Sequence, residues 1–523
     1  MPADLQLAVS RIASVNPATG EVLGELDCAG PAEIHAAVSQ ARTVQPAWAA
    51  CGIRSRIEVI RRFQQVLLAC KDDVARRITQ EMGKPYVESL LTEVFVVLDA
   101  ARFLIDNAYA LLRDKKLPHG NLALKTKSGR IAHEPYGVIG IISPWNYPFS
   151  IPATEALAAL VAGNAVVLKP SEFTPLIAVE LQSLLREAGV PDDVFQVLPG
   201  EGPTGAALVK SEIDKLVFTG SAATGRRIAQ TAAERLLPVV LELGGKDPML
   251  VLDDADLDVA PSAAVWGAFC NAGQACLSVE RCYVHEKLYG AFVDACAAKT
   301  RKLRVGSGMD QSTEVGPMIH ERQLRIVESH VEDARGLGAR VLTGGIRLRD
   351  LGPNYYAPTV LADVNHSMRV MREETFGPVL PIMSFRDDDE AVRLANDCDY
   401  GLAASIWTRD RARGEALAGR IEAGTVMVND VMSCFSISEA PHGGVKASGL
   451  GRTHGRWGLN EMVRVKYIDS DLVPHMKKIW WFGYGSGFSD EMESFLDLLY
   501  TRPLRQKMKA ALRSMGAMGR RKM

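Results

Sequence analysis

The chain has 523 residues, 47% of them hydrophobic and 23% charged, with a formal net charge of -2. That length exceeds one small core and calls for two or more domains, and the composition excludes wholesale disorder. A chain this close to neutral has no global pull toward polyanions, so no nucleic-acid partner is expected.

The N-terminal stretch MPADLQLAVSRIASVNPATGE has no basic segment followed by an apolar one, so no secretory signal is expected. From about Ala32 to Leu112 the apolar residues recur at helical spacing, as in RIEVIRRFQQVLLAC. Gly120 to Ala132 alternates around turn residues and predicts a hairpin. Strand GVIGIISP, helix Ala153 to Ala162, strand NAVVLKP, helix Leu176 to Ala188 and strand DKLVFTG then follow. That rhythm predicts βαβ units and a parallel sheet with helices on both faces. A second alternation runs from about Lys246 to Asn429, with strands such as DPMLVLD and GTVMVND, so the fold class is α/β with two such domains. The most apolar stretch, Val138 to Leu168, is broken by Pro144, Asn146, Pro148, Pro152 and Asn164 and cannot be one spanning helix. Nine cysteines lie between Cys28 and Cys434 without a CxxC pair, and no His cluster has metal-ligand spacing. The odd count argues for free thiols in a reducing, cytoplasmic setting, and no metal is expected.

After Asp471 the composition changes. Met476 to Tyr484 sets four aromatics beside two lysines, and Thr501 to Met523 holds eight Lys/Arg and no acid. Leu504, Met508, Leu512 and Met515 fall near helical spacing. A basic amphipathic segment of this kind suits a membrane surface or a partner; the alternative is a solvated or packed terminal helix.

Several short motifs can carry chemistry. In Ser143-Pro144-Trp145-Asn146-Tyr147-Pro148 two prolines fix the loop, so the Asn146 amide can be a rigid oxyanion donor; otherwise it caps a turn. Lys169-Pro170-Ser171-Glu172 closes a strand, where Lys169 and Glu172 could hold ribose hydroxyls and the carboxylate would repel a 2′-phosphate, favouring NAD over NADP. Gly220 and Ser221 end a strand and Gly225 opens a helix, a place for a pyrophosphate without the G-x-G-x-x-G fingerprint. Glu242, between Leu241 and Leu243, sits in poor solvent that raises its pKa toward a general base; the alternative is an ion pair with Lys246. In Asn271-Ala272-Gly273-Gln274-Ala275-Cys276, Gly273 permits a tight turn and Ala275 leaves room around a nucleophilic sulfur. Taken alone, Cys276 has the alternative of a small buried residue. Cys270 and Cys282 carry no such frame and read as structural.

The ordered set PWNYP, KPSE, FTGS, LELGGK, NAGQAC and EETFGPV resembles the aldehyde dehydrogenase superfamily from about Asn16 to Lys466. The resemblance implies an aldehyde dehydrogenase-like fold: a Rossmann-type cofactor domain (1–113 and 135–244), an α/β catalytic domain (245–442) and a small β bridging element (114–134 and 458–473), followed by the extension 474–523. It implies Cys276 as nucleophile, Glu242 as base and Asn146 as oxyanion donor. It assigns Lys169, Glu172, Gly220, Ser221, Gly225, Glu374, Phe376 and Trp145 to an NAD cofactor, with NADP as alternative, and a homodimer or homotetramer. Because acylating relatives generally lack the base, Glu242 points to a free acid as product. Tyr147, Phe149 and Ile151, Leu277 and the loop Ser433, Cys434 and Phe435 suit an apolar aliphatic or aromatic aldehyde. His442 departs from the aromatic usual there. Succinate-semialdehyde dehydrogenase and a thiol-dependent esterase are the alternative functions, and the tail suggests peripheral contact with a lipid surface.

Overall fold

In the computed structural model, which describes residues 10–121, 124–478 and 480–501, the short aliphatic runs become strands covered on both faces. Six strands line up in the order Gly449–Leu450, Val239–Glu242, Lys215–Thr219, Val138–Ile142, Ala165–Lys169 and Phe195–Val197. All neighbours are parallel except the first pair. The period of two along each strand sorts side chains to opposite faces. Ile139, Ile141, Val166, Leu168 and Val217 join a core with helices Ile53–Ala69, Phe95–Leu112 and Ser150–Val161. Val138, Ile142, Ala165, Val167, Leu216 and Phe218 join another with helices Pro31–Ala50, Gly202–Lys210 and Ala222–Ala233.

The chain starts this sheet at Val138–Ile142, moves outward one way to Phe195–Val197, then returns to Lys215–Thr219 on the other side. Ligands of open α/β sheets settle where the strand order reverses, beyond the carboxyl ends. The segments leaving those two ends are the Asn146 loop and the Gly220 turn.

The second sheet has seven strands, in the order Arg340–Thr343, Thr359–Ala362, Val379–Phe385, Val279–His285, Asp247–Val251, Ala403–Trp407 and Thr425–Val428. Both sheets belong to one unit, residues 1–112 and 134–464. An antiparallel pair, Arg11–Val15 with Val22–Asp27, precedes the first helix.

The other unit is 113–133 with 465–523. It holds a three-stranded sheet in the order Val463–Asp471, Lys127–Pro135, Lys115–Leu117. The hairpin expected over Gly120 to Ala132 starts earlier than the turn residues suggested, because Lys115 pairs with Ile131 and Leu117 with Gly129. Helix Phe488–Tyr500 has no buried residue. No helix among the described residues is long and apolar enough to cross a membrane. The expected amphipathic positions Leu504 to Met515 lie outside the described residues.

Candidate active site

Helix Ala260–Phe269 is followed by a tight turn, Cys270–Gly273, in which Asn271 and Ala272 adopt φ of 53° and 54°. Left-handed backbone costs non-glycine residues roughly 1–2 kcal/mol each, so neighbouring contacts must hold it. They are visible. Asn271 N donates to Glu88 Oε2 at 2.8 Å, and Asn271 Nδ2 donates to the carbonyls of Asn146 (2.9 Å) and Gln274 (3.1 Å). Fully buried Gln274 donates to the Asn271 carbonyl at 3.0 Å and accepts from Ile319 N at 2.9 Å. Gly273 is required by more than its φ of 71°, since a Cβ there would lie 2.2 Å from the Gly377 carbonyl oxygen. The turn delivers Cys276, a free and partly exposed thiol, into a cavity.

Asn146 is 4% exposed and donates through Nδ2 to the Gln274 carbonyl at 3.1 Å. Its own carbonyl accepts from Lys84 Nζ at 2.9 Å. Lys84 is paired with Glu93 at 2.7 Å, both side chains wholly buried, and its ammonium stands 4.0 Å from the centre of the Tyr147 ring. Glu93 in turn accepts from the backbone N–H groups of Phe149 (3.0 Å) and Ser150 (2.7 Å). One buried ion pair therefore grips both the Asn146 loop and the start of the helix after it.

Glu242 ends its strand facing the same cavity as Cys276, together with Ile151, Glu155, Phe435 and His442. Neither carboxyl oxygen has a hydrogen-bond partner among the described residues. Burial, followed by the charge of Glu155, holds this carboxyl well above the usual range. The ion pair with Lys246 does not form, because Lys246 is committed to Glu280. His442 Nε2 approaches Glu242 at 3.9 Å, but burial pushes the imidazole pKa down to about 3, so the contact is between a neutral ring and the acid. Burial, then Asp247, Glu374 and Glu242, push the Cys276 thiol well above its ordinary value. A thiol held protonated beside an unpartnered carboxyl can pass its proton to that carboxyl on becoming a nucleophile.

The residues expected at the cofactor lie on the strand ends and on the neighbouring Glu374 loop. Ser221 caps helix Ala222–Ala233, its hydroxyl accepting from Thr224 N at 3.3 Å. Gly225 lies in that helix's first turn, where a Cβ would stand 2.5 Å from Leu243. Gly220 N donates to the Glu242 carbonyl at 3.0 Å, tying the turn to the neighbouring strand. Lys169 Nζ donates to the Gly200 carbonyl at 3.1 Å and lies 3.7 Å from the partly exposed carboxylate of Glu172. Glu374 accepts from Gly245 N at 3.1 Å, and burial raises its pKa to about 8. Phe376, at a φ of 52°, stands edge-on to Trp145 with ring centres 5.4 Å apart. A capped helix start, a lysine–carboxylate pair and an aromatic shelf are a donor set that fits a dinucleotide.

A model of the aldehyde dehydrogenase family matches residues 6–468. The chain belongs to the aldehyde dehydrogenase family. It is accordingly an oxidoreductase that acts on aldehydes with NAD or NADP. It is 41% identical over 495 residues to a 4,4'-diapolycopene aldehyde oxidase of Methylomonas sp, a match covering 94% of this chain and 92% of that protein. It is 39% identical over 456 residues to a putative succinate-semialdehyde dehydrogenase [NADP(+)] of Mycolicibacterium smegmatis, covering 87% of each. The solved NAD+ complex of an aldehyde dehydrogenase from Bacillus cereus superposes with a TM-score of 0.85 at 35% identity, covering 88% of this chain and 94% of that one.

In this aldehyde dehydrogenase the motifs named the residues at the cavity but not those that hold them. Lys84, Glu88, Glu93 and Glu280 are such holders, and Glu280 accepts from the backbone N–H groups of Thr375 and Phe376 at 2.9 and 2.8 Å; Gln274 also holds the turn but stands inside the Cys276 motif. Glu88 and Glu93 carry one signal, an acid inside a helical run, whereas Lys84 stands between Gly83 and Pro85 and Glu280 in strand Val279–His285. Of the expected lining, Ile151 and Phe435 face the cavity, whereas Phe149 is wholly buried in the core. His442 meets the Phe435 ring edge-on, centres 5.0 Å apart. All nine cysteines are free, and among the described residues no group of His, Cys, Asp or Glu could hold a metal ion.

Proposed function

We propose that this aldehyde dehydrogenase converts an apolar, extended aldehyde to its free acid through a thioester on Cys276, with NAD preferred to NADP. The observation that carries the reading is the meeting, in one cavity, of the Cys276 thiol with the unpartnered buried carboxyl of Glu242. Glu242 takes the thiol proton as the sulfur adds to the aldehyde carbon. The Asn146 amide and the Cys276 N–H donate to the developing oxyanion, worth about 3–4 kcal/mol for one such donor. A bound dinucleotide would accept the hydride that leaves the former aldehyde carbon as the thioester forms; Gly220, Ser221 and Gly225 would hold its phosphates, Lys169 and Glu172 its adenosine ribose, and Glu374, Phe376 and Trp145 its nicotinamide end. Glu242 releases the thiol proton to solvent and then takes a proton from water, whose oxygen attacks the thioester carbon. The C–S bond breaks, the acid leaves and Cys276 is restored.

An apolar substrate is supported by a second cavity that shares Thr154, Glu155, Thr453 and His454 with the first and is otherwise walled by residues such as Phe103, Leu104, Ala158 and Leu459. The succinate-semialdehyde reading needs a cation for a second carboxylate. The catalytic cavity has no Lys or Arg among its described walls, and its two histidines are held neutral by burial. The relative named for 4,4'-diapolycopene aldehyde favours the same side. Glu172 would repel the 2′-phosphate of NADP, against the cofactor named for the mycobacterial relatives. We assign 1–113 and 135–244 to cofactor binding, 245–442 to catalysis, and 114–134 with 458–473 to a bridge between copies in a homodimer or homotetramer. The exposed strand Lys115–Leu117 at a sheet edge supports that bridge. The enzyme is cytoplasmic and touches lipid through 474–523.

Reduced-nicotinamide absorbance with a panel from acetaldehyde to long-chain, aromatic and carboxylated aldehydes tests the reading. Efficiency should rise with apolar length. Succinate semialdehyde as the best substrate would overturn the substrate class, and turnover of esters alone would leave a thiol esterase.

A further inference from the structure

Beside Glu242 the catalytic cavity holds a second carboxyl that the reaction above does not use. Glu155 sits in the middle of helix Ser150–Val161, 4% exposed, among small and apolar neighbours where an isolated carboxylate is costly. Its Oε1 accepts from Thr219 Oγ1 at 3.3 Å, and Thr219 is the residue paired with Glu242 on the adjacent parallel strand. Its Oε2 has no partner among the described residues. Nor have both oxygens of Glu242, Nδ1 of His442 or Nε2 of His454, and all four side chains line this one cavity. Buried polar atoms without partners are uncommon, and five around one space point to water that links them. The free space amounts to about 20 Å³, room for one water molecule.

We propose that Glu155 and Glu242 act as a dyad, in which Glu155 receives the proton that Glu242 removes from the hydrolytic water. The inference rests on the role assigned above to Glu242. One proton moves from water to Glu242 as the hydroxide oxygen bonds to the thioester carbon. The same charge count is kept when a proton passes on through the cavity water to the Glu155 carboxylate, which later loses it to solvent. Glu242 is thereby ionised again before the next aldehyde binds.

The surroundings fit. Two carboxyls in one low-dielectric site do not both ionise readily, so they titrate as a pair. Burial raises Glu155 to about 8, and the charge of Glu155 adds to the burial that raises Glu242. The other groups facing the pair are His442 and His454, neutral through burial with pKa values of about 3 and 4, the Cys276 thiol, and Arg452, whose charge lowers both Glu242 and His442. Neither imidazole is basic enough to serve as the acceptor. Glu155 accepts in its ionised fraction, which grows as pH rises toward about 8. It touches no reacting atom in this scheme and acts through Glu242, so it is a positioning and relay residue.

The test compares Glu155→Gln, Glu155→Asp and Glu242→Gln with the unaltered enzyme, using two readouts. One is p-nitrophenyl acetate without cofactor, where a burst of p-nitrophenol reports acylation of Cys276 and the following steady rate reports hydrolysis. The other is the pH profile of the steady aldehyde turnover. Glu155→Gln matches the shape of the protonated acid, so it should keep the burst while the steady rate falls tenfold or more. The alkaline rise of the pH profile should move, and added small buffer bases should restore part of the rate. Glu155→Asp should recover part of it without added base. Glu155→Gln and Glu155→Asp variants that both hydrolyse at the unaltered rate and pH midpoint would overturn the dyad. Failure of the underlying reading looks different: Glu242→Gln would then keep its steady rate.

Discussion

A cysteine is reactive as its thiolate, yet everything around Cys276 disfavours that form: burial first, then the carboxyls of Asp247, Glu374 and Glu242. The sign is direct. A raised thiol pKa means that the fraction ionised falls as pH drops, and does so from a higher starting point than for a free cysteine near 8.5. Alkylation of Cys276 by iodoacetamide in the cofactor-free enzyme should therefore still be climbing above about pH 8.5. A rate already flat at pH 7 would contradict the electrostatics. Cys276→Ser, with a hydroxyl far less acidic than the thiol, should lose aldehyde turnover while keeping cofactor binding by fluorescence titration. Asn146 offers the complementary measurement. Its amide already donates to the Gln274 carbonyl and so is oriented before any oxyanion exists. Asn146→Ala should lower kcat by about 10²–10³, the cost of one lost oxyanion donor, and leave the melting temperature nearly unchanged.

The elements that aim these side chains depend on charges buried between helices. Helix Lys71–Met82 ends just before Lys84, and the π-helical turn Leu90–Val94 presents Glu93 to it. Removing one partner of such a pair strands the other, a loss of about 3–5 kcal/mol. Lys84→Met should unfold at markedly lower urea concentration. Adding Glu93→Gln removes the stranded charge but keeps an acceptor for the N–H groups of Phe149 and Ser150, so stability should return in large part. The turnover should not, because the Asn146 carbonyl has lost its lysine. Equal recovery of both would show that the pair is only structural. This layer is also the one that the sequence does not display. Runs such as GVIGIISP and NAVVLKP announce buried parallel strands by composition, and the motifs give Cys276, Glu242 and Asn146 by their local frames. Lys84, Glu93, Glu88 and Glu155 have no frame. Lys84 and Glu93 are 9 residues apart, but the backbone groups they and Glu88 hold are 56 to 183 residues away, and within a helical run each reads only as one more polar position. The π-helical turn has no apolar periodicity of its own to betray it. The hairpin expected over Gly120 to Ala132 starts too late for the opposite reason: Gly120 and Asn121 are strong turn signals, and they mark the turn itself rather than the strand before it.

At the scale of the whole molecule the segment after Asp471 is the part that the family model does not cover, since that match ends at 468. Trp480, Trp481, Phe482 and Tyr484 are 44%, 55%, 96% and 56% exposed, a cost in water that needs a use. Indole and phenol rings beside lysines suit the boundary between lipid headgroups and acyl chains, and Lys477 together with the eight basic residues from Thr501 onward favours an anionic surface. The match to the 4,4'-diapolycopene aldehyde oxidase covers too much of the chain to omit all of 474–523, so part of this extension is shared with a protein named for a long apolar aldehyde. The proposed substrate and the tail are then tested together: an aldehyde that partitions into membrane would be met there by an enzyme that rests on the membrane. Deleting 474–523 should abolish sedimentation with phosphatidylglycerol vesicles and leave turnover of soluble hexanal within about twofold. With a long polyene aldehyde loaded into the same vesicles, the deletion should lower the rate at least tenfold, and dissolving the vesicles in detergent should close most of that gap. If the shortened enzyme binds vesicles as before, the surface role is lost; if it binds none yet oxidises the vesicle-borne aldehyde at full rate, the link between tail and substrate is lost.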